Sequence, residues 1–198
     1  MNLPQNPSWV LITHLLCGAK KKEINVIHQI MNPTQQQRQW THYEVLHLRT
    51  VQSTEFRDIT PEVQEVVDHA GIRTGFVNIQ SMHTTAGILL NEHEPMLLND
   101  MKRMMERISP AEAYYAHDDL DVRTVNLTPE ERENGHSHCR AMFLRSTEML
   151  NVIGGRLQLG RWQRLFFVDF DGGRTRAVTV VAFGLTIQRP YGPRPEPL

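Results

Sequence analysis

Cysteine is nearly absent from this chain. Cys17 and Cys139 are the only two in 198 residues and lie far apart, which excludes a disulfide framework and a thiolate zinc site. A reducing, cytoplasmic compartment is expected. An excess of one charge is also missing: 21 Lys and Arg against 22 Asp and Glu leave a formal net charge of -1, so no basic field predicts nucleic acid or an anionic membrane as partner. Long apolar runs are absent too. The stretch Trp9 to Cys17 falls well short of the about 20 residues a bilayer span needs, and Lys20-Lys21-Lys22 follows it instead of preceding it, so neither a signal peptide nor an anchor is expected. What remains, 40% hydrophobic and 22% charged residues, is enough for an ordinary globular core.

Histidine is plentiful, and its placement matters more than its number. Ser81-Met82-His83-Thr84-Thr85-Ala86 and Asn134-Gly135-His136-Ser137-His138 concentrate imidazoles and hydroxyls between apolar, strand-like runs. His83, His117, His136 and His138 all sit at the ends of apolar segments, and the pattern predicts that they converge on a buried polar pocket.

The chain divides into a Pro-, Asn- and Gln-rich extension over residues 1–38, expected to be loosely attached, a domain over 39–187, and a proline-rich tail over 188–198. Met31 stands just before the compact pattern begins, so an upstream start choice is expected to account for the residues before it; the intact mass of the native protein decides this. Alternation over Val45 to Thr50 predicts a strand. Thr60-Pro61 predicts an N-cap and first turn for a helix whose apolar face is Val63, Val66, Val67 and Ala70, ending at Gly71. Strands are expected over Phe76–Ser81 and Ala86–Leu90. A second helix follows Pro95, its Leu97, Met101, Met104 and Ile108 stripe read as core. Ser109 to Pro129 reads as loop. From Ala141 onward an antiparallel meander is expected, with Ala177–Ile187 a central strand covered on both faces.

Several residue types could carry chemistry, each with a plainer alternative. In a strand, His136 and His138 would point to one face and offer two imidazoles to one metal; the alternative is solvated or core-capping histidine. Neutral imidazoles with oxygen ligands select zinc or a similar divalent ion. Thr84 and Thr85 suit phosphate or carboxylate oxygens, or simply pack in a sheet. Glu92, after Asn91, is a candidate general base or a partner fixing a histidine tautomer, against a solvated loop carboxylate; Asp118 and Asp119 are the other acid/base candidates. Asp169 to Arg176 reads as a tight hairpin whose Arg174 and Arg176 grip an anion, unless they pair with Asp169, Asp171 or a second subunit. Trp162 reads as a packing anchor.

Ser81-x-His83-Thr84-Thr85-Ala86, Asn91-Glu92, Tyr115-x-His117, Asn134-Gly135-His136-x-His138, Leu159-Gly160-x-Trp162-Gln163 and Asp169-Phe170-Asp171-Gly172-x-Arg174-x-Arg176 together resemble the YjbQ family, some members of which are labelled secondary thiamine-phosphate synthase. The likeness runs from about Trp40 to Ile187. It implies a single-domain α+β fold, a mixed, largely antiparallel sheet or sandwich with packed helices, assembled as a homotrimer. It also implies a divalent metal, zinc in first place and magnesium as the alternative, held by His83, His117 and His138. His136, Glu92 and Asp118 are then the acid/base candidates, and Thr84, Thr85, Asn91, Arg174 and Arg176 the contacts to a small phosphorylated molecule. The implied activity is weak coupling of a pyrimidine diphosphate with a thiazole phosphate; a metal-dependent phosphate-ester hydrolase and a non-catalytic metabolite- or metal-binding trimer are the alternatives. Gly173 stands where many relatives carry proline, which is expected to loosen that turn.

Overall fold

Period-two alternation makes strands wherever one face must be buried. In β1 (Gln37–Arg49), Leu46 and Leu48 turn inward while Tyr43, Val45 and His47 stay exposed. The computed structural model describes residues 37–187. The readings of the extension and of the tail therefore lie outside the described residues, except that Gln37 and Arg38 already belong to β1.

The remaining elements are β2 (Glu55–Asp58), α1 (Thr60–Ala70), β3 (Ile72–Ser81), β4 (Ala86–Glu92), α2 (Pro95–Ile108), α3 (Gly135–Ala141), β5 (Thr147–Ile153), β6 (Arg156–Leu157), β7 (Gln163–Asp169) and β8 (Thr175–Ile187). Two antiparallel sheets result, one ordered β1-β8-β3-β5-β6 and the other β2-β7-β4. The fold is α+β, as expected. It is not a simple meander. β7 leaves the larger sheet for the smaller one, and β8 returns to pair between β1 and β3, so Asp169 to Arg176 is a corner between sheets and not a hairpin.

The apolar face of α1, Val63, Val66, Val67 and Ala70, packs with Val77, Ile79, Val178, Val180 and Ala182 of the larger sheet and with Leu165 and Phe167 of β7. On the far side of β7, Phe166, Val168 and Phe170 pack with Met105 of α2. The strand covered on both faces is thus β7, not β8, because one side of β7 packs with α1 and the larger sheet and the other with Met105 of α2. Each fully buried phenylalanine of this region contributes roughly 1.5–3 kcal/mol.

Three local expectations need correction. Thr60 does not cap α1: Asp58 Oδ1 accepts from the Thr60 N–H at 2.9 Å, while Thr60 Oγ1 accepts from the Leu165 N–H at 2.8 Å and ties the helix to β7. The methionine stripe of α2 is not core, since Met104 and Ile108 are each 46% exposed and the helix is seated by Leu98 and Met105 on a neighbouring face. Trp162 is no packing anchor either; it is exposed, with the Arg161 guanidinium 4.7 Å above its ring.

Candidate functional site

The segment of His136 and His138, which would offer both rings to one face in a strand, is the short helix α3. Residues two apart on a helix are about 200° apart around its axis, so the two rings diverge instead of sharing a face. The local cause is Asp118, whose Oδ1 accepts from the Asn134 and Gly135 N–H groups at 2.9 and 2.8 Å and so satisfies the first donors of the helix. Gly135 is required by the same contact: a Cβ there would come within 2.5 Å of Tyr115 Cβ. Asp118 is therefore an anchor for α3, not a free acid or base.

The turn at Ala116–Asp118 brings His117 against His138, ring centroids 4.6 Å apart. Arg123 Nη1 lies 3.1 Å from His117 Nε2 and 3.1 Å from Glu131 Oε1. A guanidinium can only donate, so the His117 Nε2 lone pair is taken. His83 is engaged in the same way, its Nε2 accepting from the Ala177 N–H at 2.8 Å. His136 donates from Nε2 to Ser137 Oγ at 3.1 Å, because that hydroxyl spends its own hydrogen on the Phe170 carbonyl at 2.8 Å. Among these four, only the His138 ring has no hydrogen-bond partner among the described residues. Burial first, then the neighbouring His117, pulls the His138 pKa below the ordinary imidazole value; burial and Arg176 do so for His83, and burial and Arg140 for His136.

Three of these histidines were expected to share a metal. The residues do not fit that role as they stand: among the described residues, no three His, Cys, Asp or Glu side chains are set to hold an ion. The physical reason is the pair of lone pairs on His83 and His117, both already opposed by N–H donors.

The corner after β7 supplies the rest of the site. Asp169, fully buried, accepts from Arg176 Nε at 2.8 Å and Nη2 at 2.7 Å, and from Thr50 Oγ1 at 2.6 Å. Arg176 also reaches the Asp171 carbonyl at 2.7 Å and Thr85 Oγ1 at 3.3 Å. Arg176 and Thr85 are thus committed to holding the corner, the structural one of the two readings open to each. Arg174 differs: its side chain is 35% exposed, its Nε lies 3.1 Å from Asp171 Oδ2, and that Nε makes no well-aligned hydrogen bond. Thr84 is exposed beside His83. Gly173 takes φ 78°, which proline cannot adopt, so this turn has a different path from an Asp-Gly-Pro-Arg turn.

Asn91 and Glu92 fall elsewhere. Ala86 pairs with Asp169 but Glu92 pairs with Gln163, six residues along the strand and roughly 20 Å away at about 3.3 Å per residue. Asn91 Nδ2 instead contacts Met101 Sδ, and its Oδ1 accepts from the Glu92 N–H. Asp119, with Asp118, Tyr114, Tyr115 and Glu133, lines an open cleft of about 300 Å³ whose carboxylates repel phosphate.

Asn134 was quoted in a motif but given no role, and Asp171 was named only as a possible partner of the arginines, which it is. Asn134 Nδ2 donates to Asp171 Oδ2 at 3.1 Å, while its own Oδ1 is buried without a partner. That orphaned acceptor is visible only after folding, though its place directly before Gly135 and His136 is a signal in hindsight.

The sequence matches the family model described as UPF0047 protein YjbQ-like over residues 44–185. It is 38% identical over 139 residues to a UPF0047 protein of Methanothermobacter thermautotrophicus, covering 70% of this chain and 90% of that one. It is 32% identical over 142 residues to the UPF0047 protein YugU of Bacillus subtilis, covering 71% and 98%. Among solved structures, a YbjQ-like protein of unknown function from Sulfolobus solfataricus superposes with a TM-score of 0.66 at 30% identity, covering 74% of this chain and 99% of that one. A hypothetical protein from Aeropyrum pernix superposes at 0.63 with 29% identity, covering 72% and 98%. No helix among the described residues is long and apolar enough to cross a membrane. With most of the domain matched in both sequence and structure, this chain belongs to the UPF0047 YjbQ-like family.

Proposed function

We propose that the surface where α3 meets the 171–176 corner, joined by the Asn134–Asp171 hydrogen bond, binds the phosphate end of a small phosphorylated molecule, and that His138 moves a proton there. One observation carries this reading: His138 is the site histidine with a ring uncommitted among the described residues, burial lowers its pKa, and it lies beside the His117 ring. Arg174 and Thr84 have the exposure needed to neutralise phosphate oxygens, and Asn134 Oδ1 offers an acceptor to a donor on the bound molecule.

The reaction class to test first is the coupling of a pyrimidine diphosphate with a thiazole phosphate. In that transfer the bond from the pyrimidine methylene carbon to the diphosphate oxygen breaks, the thiazole nitrogen forms the new bond to that carbon, and diphosphate departs with its charge held by Arg174. Such neutralisation lowers a barrier most when the site is already arranged for it. No step is routed through a metal ion, because the described donors do not assemble one.

Turnover of the two precursors, with phosphate release measured in parallel without acceptor, separates the transferase from a hydrolase. Wild-type activity in a His138→Ala, Arg174→Ala double variant rejects the reading. Non-catalytic binding has an observation in its favour: Asp118 caps α3 and Glu92 lies far along β4, so neither expected carboxylate is placed as a base. A ligand carried unchanged through purification, with no turnover of either precursor, decides for it.

A homotrimer belongs to the same proposal. The outer face of the larger sheet exposes Tyr43, Val45, Phe76, Met149 and Ile153, where a solvated antiparallel face is ordinarily polar. Light scattering on the intact protein tests it; a monomer at micromolar concentration counts against it.

A further inference from the structure

Two guanidiniums were expected to grip an anion at the corner after β7, and folding leaves only Arg174 for that task, since Arg176 is spent on Asp169. A third arginine stands beside the same corner. Arg132, exposed in the irregular segment before α3, donates from Nη1 to the Gly172 carbonyl at 3.4 Å. Two residues on, Asn134 Nδ2 donates to Asp171 Oδ2 at 3.1 Å. Residues 132–134 therefore run alongside 171–172, and Arg132 meets the corner at Gly172, two residues before Arg174.

The backbone that Arg132 touches is held in place. A Cβ at Gly172 would come within 1.8 Å of the Gln52 carbonyl oxygen, so the corner lies directly against residue 52. Ser53 Oγ donates to the Phe170 carbonyl at 2.7 Å, and the Thr50 N–H donates to the Arg174 carbonyl at 3.1 Å. At Gly173, by contrast, a Cβ would meet nothing within 4 Å. The corner is thus a fixed backbone with open space at its tip, between the residue that Arg132 touches and Arg174. The charges also differ. Arg174 Nε lies 3.1 Å from Asp171 Oδ2, Glu131 is taken by Arg123 at 3.1 Å, and Glu133 lines the acidic cleft with Asp118 and Asp119. Arg132 has no carboxylate within ion-pair distance among the described residues. Its contact with one carbonyl occupies one of five N–H donors, and the rest of the planar fork suits phosphoryl oxygens taken two at a time.

Resting on the phosphate reading of this surface, we infer that Arg132 is its second anion contact and sets its specificity. With Arg174 it selects a ligand ending in two linked phosphoryl groups over one ending in a single phosphate. One phosphate satisfies the Arg174 fork. A second phosphoryl group, joined to the first, occupies the open space at Gly173 and meets Arg132.

The probes are inorganic diphosphate and inorganic phosphate, titrated calorimetrically into the full-length protein in buffer free of divalent ions. Wild-type protein is expected to bind diphosphate at least about tenfold tighter than phosphate, the factor that a second charge-assisted contact contributes. Arg132→Gln is expected to lower diphosphate affinity about tenfold and phosphate affinity less than about twofold, so that the selectivity falls. Arg132→Lys keeps the charge but loses the fork, and should fall between. Arg174→Gln is expected to weaken both anions. Arg49→Gln removes another exposed arginine, at the end of β1 opposite Thr175, and is expected to change neither. Circular dichroism checks that each variant is folded. Equal wild-type affinity for the two anions, no loss in Arg132→Gln, a loss there that is the same for both anions, or the same selective loss in Arg49→Gln overturns the role of Arg132. The phosphate reading survives those results as long as Arg174→Gln weakens binding. Absence of saturable binding of either anion, or binding indifferent to Arg174→Gln, overturns the phosphate reading and the role of Arg132 together.

Discussion

Replacing Asp169 with asparagine tests whether Arg176 is a structural group or a hand for substrate. Asp169 is fully buried and the Arg176 side chain is 6% exposed, so the pair has no water to fall back on. The amide of the Asp169→Asn variant would keep the volume but lose the second acceptor oxygen and the charge, leaving the buried Arg176 guanidinium with the Asp171 carboxylate, 3.8 Å away, as its remaining ion-pair partner. Breaking a buried pair by neutralising one partner costs about 3–5 kcal/mol. The Thr50 hydroxyl loses its charged acceptor as well, adding to the same loss. For a domain of this size each kcal/mol shifts Tm by about 2–4 °C, so a fall of roughly 6–20 °C is expected. Differential scanning calorimetry on Asp169→Asn, Arg176→Met and the double Asp169→Leu, Arg176→Met variant measures it. The double variant should recover much of the loss, because an apolar pair leaves no buried charge. An Arg176→Met protein that melts within about 1 °C of wild type while losing affinity for inorganic phosphate would refute the reasoning.

Three further outcomes are expected. His83, His136 and His138 have folded-state pKa values lowered from 6.5, so the unfolded chain takes up protons first and their contribution, complete above about pH 6.5, is lost as pH falls below it. His69 is raised by Glu44 and acts in the opposite sense, its contribution lost as pH rises through its folded value. Thermal melts from pH 7.5 to 5.5 should therefore show a decline that flattens in a His83→Gln, His138→Gln variant and steepens in His69→Gln. Gly135→Ala forces Tyr115 off the start of α3 and should cost about 1–3 kcal/mol by urea unfolding, with weaker phosphate binding as His138 shifts. Gly173→Pro should lower Tm, since φ 78° is closed to proline; a rise in Tm would show that the turn can take the other path.

Much of the fold was legible along the chain. Alternation located the end of β1, apolar runs bounded by turn residues located β3, β4, β5, β7 and β8, and the 3.6-residue period located α1 and α2. Pattern does not say what covers the face. The α2 stripe of Leu97, Met101, Met104 and Ile108 is apolar and periodic, yet the helix is seated on Leu98 and Met105 beside it. The doubly buried strand is misread for the same reason, since β7 and β8 are both strongly apolar and only the sheet order separates them. At the site, His136 and His138 read as strand because a seven-residue helix offers too little periodicity, and its capping carboxylate, Asp118, is 16 residues upstream of Asn134.

The sequence alone determined the family, the α+β class and the residues from which any site must be drawn, because motif order and burial periodicity are properties of the linear chain. Only the tertiary structure decided which of those residues are free to act. Thr85 and Asp118 are consumed by partners distant in sequence and Arg176 by Asp169, seven residues before it, Asn91 and Glu92 are carried away along β4, and His83 and His117 have their lone pairs engaged by an N–H and a guanidinium. Whether a polar group is satisfied depends on its neighbours in space, and sequence spacing carries no record of those.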